Sequence, residues 1–119
     1  DGVILETTPQ ALASVVVSKA IKMVAKMTVP MLGIVENMAF FVVPGTSEPY
    51  ELFGPSRSAE LVGESGAPLL GRLPVDADIA RLCDAGRIES YDSPSLCEIE
   101  HNLLNMLGVA SRAGALAST

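Results

Sequence analysis

The chain has 119 residues, of which 49% are hydrophobic, enough for one core and little more. Eight basic against 14 acidic residues give a net charge of −6, the wrong sign for a polyphosphate backbone, so we expect no nucleic-acid partner. The longest apolar stretches are far below the roughly 20 residues that cross a bilayer, so we expect a cytoplasmic protein with no membrane partner.

Cys83 and Cys97 are the only cysteines. They form no CxxC pair and have no histidine at ligand spacing, so the sequence predicts neither a disulfide framework nor a zinc site. We interpret both as reduced, buried thiols.

The first third of the chain predicts two strands around a helix. The segment 2–7 is short and rich in β-branched and apolar residues, which suits a strand. Thr8 and Pro9 suit the cap and the first position of the helix that follows. The run 31–35 is apolar without alternation, which predicts a strand buried on both faces. The helix between them carries one apolar stripe, formed by Leu12, Val16, Ala20, Met23 and Met27. A second stripe is formed by Lys19, Lys22 and Lys26, and we interpret this lysine stripe as a solvated face.

Residues 44–55 contain three of the eight prolines and two glycines, so they predict a long loop or a small hairpin, with residues 50–53 as its short strand. Further on, the pattern predicts a helix from Ser56 or Ser58, a strand over residues 69–73, and a short helix opened by Asp76 or Asp78. A last helix begins at Ser93 and Pro94 and keeps a 3.6-residue rhythm to Gly108. We predict one domain over residues 1–109 and a flexible tail over 110–119.

This order of elements predicts an α/β fold with a doubly wound, mostly parallel sheet, because parallel neighbours need crossovers and these are usually helical. The predicted strands leave an open hydrophobic edge, as in a piece of a larger sheet. Ligands of such sheets bind beyond the carboxyl ends of the strands. No GxxxxGK[ST] motif occurs, so the chain has no predicted cradle for β- and γ-phosphates. The only histidine, His101, falls on the polar side of the last helix, so we predict no catalytic residue and no metal ligand.

Five segments resemble, in order and spacing, the Mrp / ApbC family of P-loop ATPases, whose fold is similar to MinD and the nitrogenase iron protein. The most specific is Val-Pro-Met-Leu-Gly-Ile-Val-Glu-Asn-Met. The segments are residues 1–5, 7–10, 29–38, 53–54 and 71–76. The resemblance implies a partial, Rossmann-like P-loop domain: the C-terminal half of an ATP-binding iron–sulfur cluster carrier that forms homodimers and passes clusters to apoprotein clients. The Walker A loop and acidic switch, and with them Mg²⁺, would lie before Asp1.

The resemblance also implies an adenine site. The Asn37 carboxamide offers a donor and an acceptor that match an adenine edge. Pro74 would pack against the base, while the Val75 backbone and Asp76 hold it from the other side. Two alternatives stay open: Asn37 as a former of the turn at the strand end, and Asp76 as a helix cap only. Glu36 has no assigned role.

The chain departs from the family at two places. Many members carry Cys-Pro-x-Cys after Asn-Met, but here Val43 and Thr46 take the cysteine positions, and neither ligates iron as a thiolate does. We therefore expect no iron–sulfur cluster at this loop. Glu6 places a charge in a strand that is usually apolar in the family.

Two other functions remain open. One is a non-enzymatic interaction module derived from the fold, which an exposed sheet edge would favour. The other is a MinD-type positioning ATPase, which needs a basic amphipathic helix near the end. Residues 96–107 contain no lysine or arginine. In each case we expect no ATP hydrolysis by this chain alone, because phosphoryl transfer depends on groups it lacks.

Overall fold

A computed structural model describes residues 1–108, and the predicted tail lies outside them. The strands are β1 (Val3–Thr7), β2 (Met31–Val42), β3 (Pro49–Tyr50) and β4 (Leu69–Pro74). The helices are α1 (Ala11–Lys26), α2 (Ser58–Ser65), α3 (Ala77–Asp84) and α4 (Pro94–Met106), with a 3₁₀ turn at Ile88–Ser90. The predicted α/β fold is confirmed.

β2 is the central strand of the sheet and pairs in parallel with β1 on one side and β4 on the other. Leu5 lies opposite Ile34, and Gly71 lies opposite Val35. Since parallel neighbours need crossovers, α1 connects β1 to β2 and α2 lies between β2 and β4. The mostly parallel, doubly wound arrangement follows from these connections.

β2 is much longer than the predicted strand over residues 31–35. Its pairing with β4 is interrupted between Glu36 and Phe40, where Met38 adopts a left-handed φ of 54°. Beyond this bulge Phe40 pairs with Pro74, and the Val75 amide donates to the Phe40 carbonyl at 2.7 Å. The polar run after residue 35 therefore marks a bulge inside a strand, not the end of the strand.

The predicted small hairpin after β2 is confirmed, although its second strand is shifted. Phe41 pairs with Tyr50 and Val42 with Pro49 in antiparallel register, so the strand is Pro49–Tyr50 and not residues 50–53. Pro49 has no amide hydrogen, which suits the short outer strand of the hairpin. This pair makes the sheet mixed at one end.

The core on one face of the sheet joins α1 and α2 to β2 through Val17, Ile21, Ile34 and Leu61. Val17 and Ile21 belong to a different stripe of α1 from the apolar stripe that the sequence singles out. Most of the apolar stripe that the sequence singles out is 60–75% exposed, namely Leu12, Val16, Met23 and Met27. The helix is apolar on two sides, and only tertiary contacts decide which side faces the sheet.

Helix α4 packs on β4. A Cβ atom at Gly71 would lie 2.5 Å from Cγ1 of Ile99, so this glycine permits the close approach of helix and strand. Asn102 Nδ2 also donates to the Leu70 carbonyl at 2.8 Å. Ser93 caps the helix as predicted, with its hydroxyl accepting from a backbone amide at 3.1 Å.

Two local predictions are wrong. Helix α1 begins at Ala11 with the extended Gln10 as its N-cap, so Thr8 caps nothing; its hydroxyl is buried without a hydrogen-bond partner among residues 1–108. Cys83 and Cys97 are free, but exposed rather than buried, because they lie on the outer sides of α3 and α4. No helix within the described part of the chain is long and apolar enough to cross a membrane.

Candidate functional site

Asn37 lies in the bulge of β2, where two partners fix its carboxamide. Its Oδ1 accepts from the Met38 amide at 2.8 Å, and its Nδ2 donates to Glu6 Oε1 at 2.9 Å. A carboxamide has two N–H groups and two acceptor lone pairs, so one of each remains for a ligand. The bond to Met38 is local and holds the carboxamide at the bulge, and one N–H and one lone pair of the carboxamide have no partner among the described residues.

Pro74, Val75 and Asp76 follow one another at the carboxyl end of β4. The Val75 amide already donates to the Phe40 carbonyl, so its carbonyl oxygen is the backbone group that could still accept a hydrogen bond from a ligand. Together with Phe41, these residues line a cavity of about 300 Å³, at the lower end of the size of small-molecule pockets. Asn37 does not line this cavity, because its carboxamide is bound toward β1.

Asp76 caps α3, as the alternative reading proposes. Its Oδ1 accepts from the Asp78 amide and its Oδ2 from the Tyr91 hydroxyl, both at 2.9 Å. Burial raises the pKa of Tyr91, and the neighbouring Asp76 carboxylate raises it further, although a hydrogen bond with Ser93 acts in the opposite direction. Asp76 therefore joins the end of β4 to α3 and to the segment before α4.

Glu36, which sequence reasoning left without a role, is fully buried beside the bulge. Its Oε1 accepts from Arg72 Nε at 2.8 Å and its Oε2 from the Ser56 hydroxyl at 2.7 Å. Arg72 also reaches Glu51 at 3.4 Å, and the Ser56 hydroxyl lies 2.8 Å from that of Ser58. The network joins β2, β4 and the start of α2. An acidic residue directly after the apolar run 31–35 and a basic residue within the apolar run 69–73 were the sequence signal for this pair.

A second cavity, of about 390 Å³, opens at the end of β1 beside the exposed apolar stripe of α1. Glu6, Thr8, Leu12 and Val16 are among its lining residues, and it contains apolar and polar groups. Among the described strands, β1 pairs only with β2, so its other edge is open. An open edge next to an exposed apolar helix face indicates a surface able to accept further structure.

The hairpin at residues 43–46 is a tight turn without metal ligands. Thr46 donates to the Val43 carbonyl twice, from its amide at 3.0 Å and from its hydroxyl at 2.9 Å. Residues 1–108 contain no group of three or more His, Cys, Asp or Glu side chains placed to hold a metal ion. His101 is exposed on α4, as predicted.

A mostly parallel sheet with helices on both faces is the architecture of open α/β proteins, in which ligands bind beyond the carboxyl ends of the strands. A family model for ParA, described as NUBPL iron-transfer P-loop NTPase, matches residues 1–107. The chain belongs to this family, and the resemblance drawn from the sequence is confirmed.

Several similar proteins share the name iron–sulfur cluster carrier protein. The chain is 45% identical over 85 residues to the iron–sulfur cluster carrier protein of Deinococcus radiodurans, a match that covers 71% of this chain and 24% of the relative. For the carrier of Aquifex aeolicus the identity is 38% over 85 residues, covering 71% and 23%. For that of Pyrococcus abyssi it is 34% over 112 residues, covering 90% and 38%.

A solved structure, the nucleotide-binding protein of Archaeoglobus fulgidus in complex with ADP, matches with a TM-score of 0.68 and 38% identity. The match covers 80% of this chain and 39% of that one. The chain therefore spans less than half the length of these similar proteins.

Proposed function

We propose that this chain is the base-binding part of an ATP-binding iron–sulfur cluster carrier. The observation that carries the proposal is the bulge in β2, which holds Asn37 beside the carboxyl end of β1 with one donor and one acceptor unpaired among the described residues. The ADP bound by the similar Archaeoglobus fulgidus protein and the names of the curated relatives support the choice of ligand and cargo.

The base would be held from two sides. Adenine presents an amino donor beside a ring-nitrogen acceptor, which one carboxamide satisfies with two hydrogen bonds. On the β4 side, Pro74 and the apolar wall of the 300 Å³ cavity offer a packing surface, and Val75 offers a carbonyl oxygen. Asp76 keeps this segment in place by capping α3 and accepting from Tyr91.

The triphosphate needs groups outside this chain. The sequence has no glycine-rich loop with its lysine, so residues 1–108 fit a base but not the β- and γ-phosphates. We propose that residues 1–109 form the C-terminal half of a P-loop domain, and that the other half supplies the phosphate loop and Mg²⁺. The open edge of β1 and the exposed stripe of α1 support this arrangement. The homodimer, the apoprotein client and the cytoplasmic location stay predictions of the family resemblance.

The hairpin of this chain does not offer the ligands that an iron–sulfur cluster needs. Val43 and Thr46 supply no thiolate, and Cys83 and Cys97 lie on α3 and α4 rather than on the hairpin. Cluster transfer would therefore depend on ligands elsewhere in the protein. A second candidate, an interaction module without ATP chemistry, is favoured by the same exposed stripe of α1. A MinD-type protein is not favoured, because α4 has no lysine or arginine.

Titration calorimetry tests the proposal, with ATP as the probe and the native protein that contains this chain. Asn37→Ala should weaken ATP binding by about 1–3 kcal/mol, the usual worth of a paired buried polar group, and reduce the preference for ATP over GTP. Asn105→Ala, an exposed asparagine on α4, is the control and should bind as the wild type does. Unchanged affinity and base preference in Asn37→Ala would leave Asn37 as a turn former only.

A further inference from the structure

Glu6 is the partner of Asn37 on the neighbouring strand. It precedes the last residue of β1, Thr7, which lies opposite Glu36 in the parallel register, so its side chain lies at the same edge of the sheet as the bulge. Glu6 is exposed, yet its Oε1 accepts from Asn37 Nδ2 at 2.9 Å. A charge here departs from the family pattern, so the family resemblance assigns it no role.

The two hydrogen bonds of Asn37 fix which way its carboxamide points. A rotation of the amide by 180° would place Nδ2 against the Met38 N–H, donor against donor, and Oδ1 against the Glu6 carboxylate, acceptor against acceptor. The Met38 amide alone would oppose this rotation with one neutral hydrogen bond. Glu6 adds a second, charge-assisted one, which is the stronger kind.

The direction of the amide decides which purine it can bind. A 6-aminopurine presents an N6 donor beside the N1 acceptor, whereas a 6-oxopurine presents the O6 acceptor beside an N1–H donor. When the rest of the nucleotide fixes the orientation of the base, a carboxamide that rotates freely can bind either edge. A carboxamide held in one direction can bind only one order of donor and acceptor.

We propose that Glu6 is a positioning residue that restricts Asn37 to 6-aminopurine nucleotides. The inference rests on the proposed function, because it requires that Asn37 contacts the base. The negative charge of Glu6 also favours a 6-aminopurine, since a carboxylate attracts a nearby amino group more than a carbonyl oxygen. Glu6 thus sets specificity through Asn37 and does not bind the base itself.

The test compares ATP with ITP, whose base differs at position 6 and in the proton on N1. Dissociation constants are measured by calorimetry on the native protein for the wild type, Glu6→Val and Glu6→Gln. The wild type should prefer ATP by about tenfold, within the range one pair of base contacts provides. Glu6→Val should bring the two constants to within about twofold, chiefly through tighter ITP binding, because the amide can then rotate. Glu6→Gln removes the charge and offers Asn37 a carboxamide that both donates and accepts and can rotate together with it, so it should also lose most of the preference.

Two further variants separate the outcomes. Glu98→Val removes an exposed glutamate on α4 and should leave the ratio unchanged. If Asn37→Ala abolishes the preference while Glu6→Val keeps the wild-type ratio, the role of Glu6 is refuted and the proposed function stands. If the wild type binds neither nucleotide, or Asn37→Ala leaves the ratio unchanged, the proposed function and the role of Glu6 fail together. A loss of preference in Glu6→Val, Glu6→Gln and Asn37→Ala, with the ratio of Glu98→Val unchanged, supports the inference.

Discussion

Removing Arg72 should destabilise the protein far more than removing a surface arginine. Arg72 is the only cation that the described residues place against Glu36, whose side chain is 0% exposed. Arg72→Met keeps an unbranched apolar stem but removes the guanidinium, which leaves the carboxylate with the Ser56 hydroxyl as its partner. A buried charge without its counter-ion is costly, because the protein interior solvates it poorly.

The expected magnitude follows from the burial of the pair. Breaking a fully buried ion pair costs about 3–5 kcal/mol. The Arg72 side chain is 33% exposed, so water screens part of the interaction, and we expect about 2–4 kcal/mol. Glu36→Gln removes the buried charge but keeps a hydrogen-bonding group, so it should cost less, about 1–2 kcal/mol. Either value is a large fraction of the stability of a small domain.

Urea unfolding, followed by circular dichroism, measures these losses as differences in unfolding free energy. Arg81→Met is the matched control: Arg81 pairs with Asp78 at 3.2 Å, but the two side chains are 61% and 64% exposed. Such a surface pair contributes at most about 1 kcal/mol. If Arg72→Met cost no more than Arg81→Met, the account of Glu36 as a charge held by Arg72 would be refuted.

Two further predictions concern packing and the β4 end. Gly71→Ala should destabilise the protein by about 1–3 kcal/mol, because the new methyl group would collide with Ile99. Gly63→Ala is the control and should not destabilise the protein, because the space around Gly63 is open. The midpoints of urea unfolding compare the two variants. Tyr91→Phe should remove a phenol that ionises above its ordinary pKa of 10.0, so the difference in absorbance at alkaline pH between wild type and variant should show a transition above that value. Since burial, and with it the Asp76 carboxylate, raises this pKa and so favours the neutral phenol, the resulting stabilisation is present at neutral pH and lost as the pH rises through the folded pKa. A transition at or below 10.0 would contradict the raised pKa of Tyr91.

The fold class followed from the sequence because short apolar runs and amphipathic segments alternate along the chain, and that order leaves few ways to bury the runs. The extent of β2 did not follow. Glu36 and Asn37 look like the end of a strand unless their partners, Arg72 and Glu6, are known, and these lie 36 and 31 positions away. Burial across the sheet is a tertiary property that local patterns do not encode.

The buried side of α1 was also beyond local reasoning. The segment Val15 to Val17 places apolar side chains on adjacent faces of the helix, so periodicity alone does not select one. Asn37 could be proposed as a site residue from the sequence because it belongs to the specific run of residues 29–38. Glu6 could be identified only as a departure from the family, since its role depends on a contact between two strands.

The location of the adenine ring tests the central claim most directly. A crystal structure of the native protein that contains this chain, with ADP and Mg²⁺ bound, should show the base edge within hydrogen-bonding distance of Asn37 and its ring beside Pro74 and Val75. The phosphates should contact residues that do not belong to this chain. A base bound elsewhere, with Asn37 still bonded only to Glu6 and Met38, would contradict the assignment of this chain as the base-binding part.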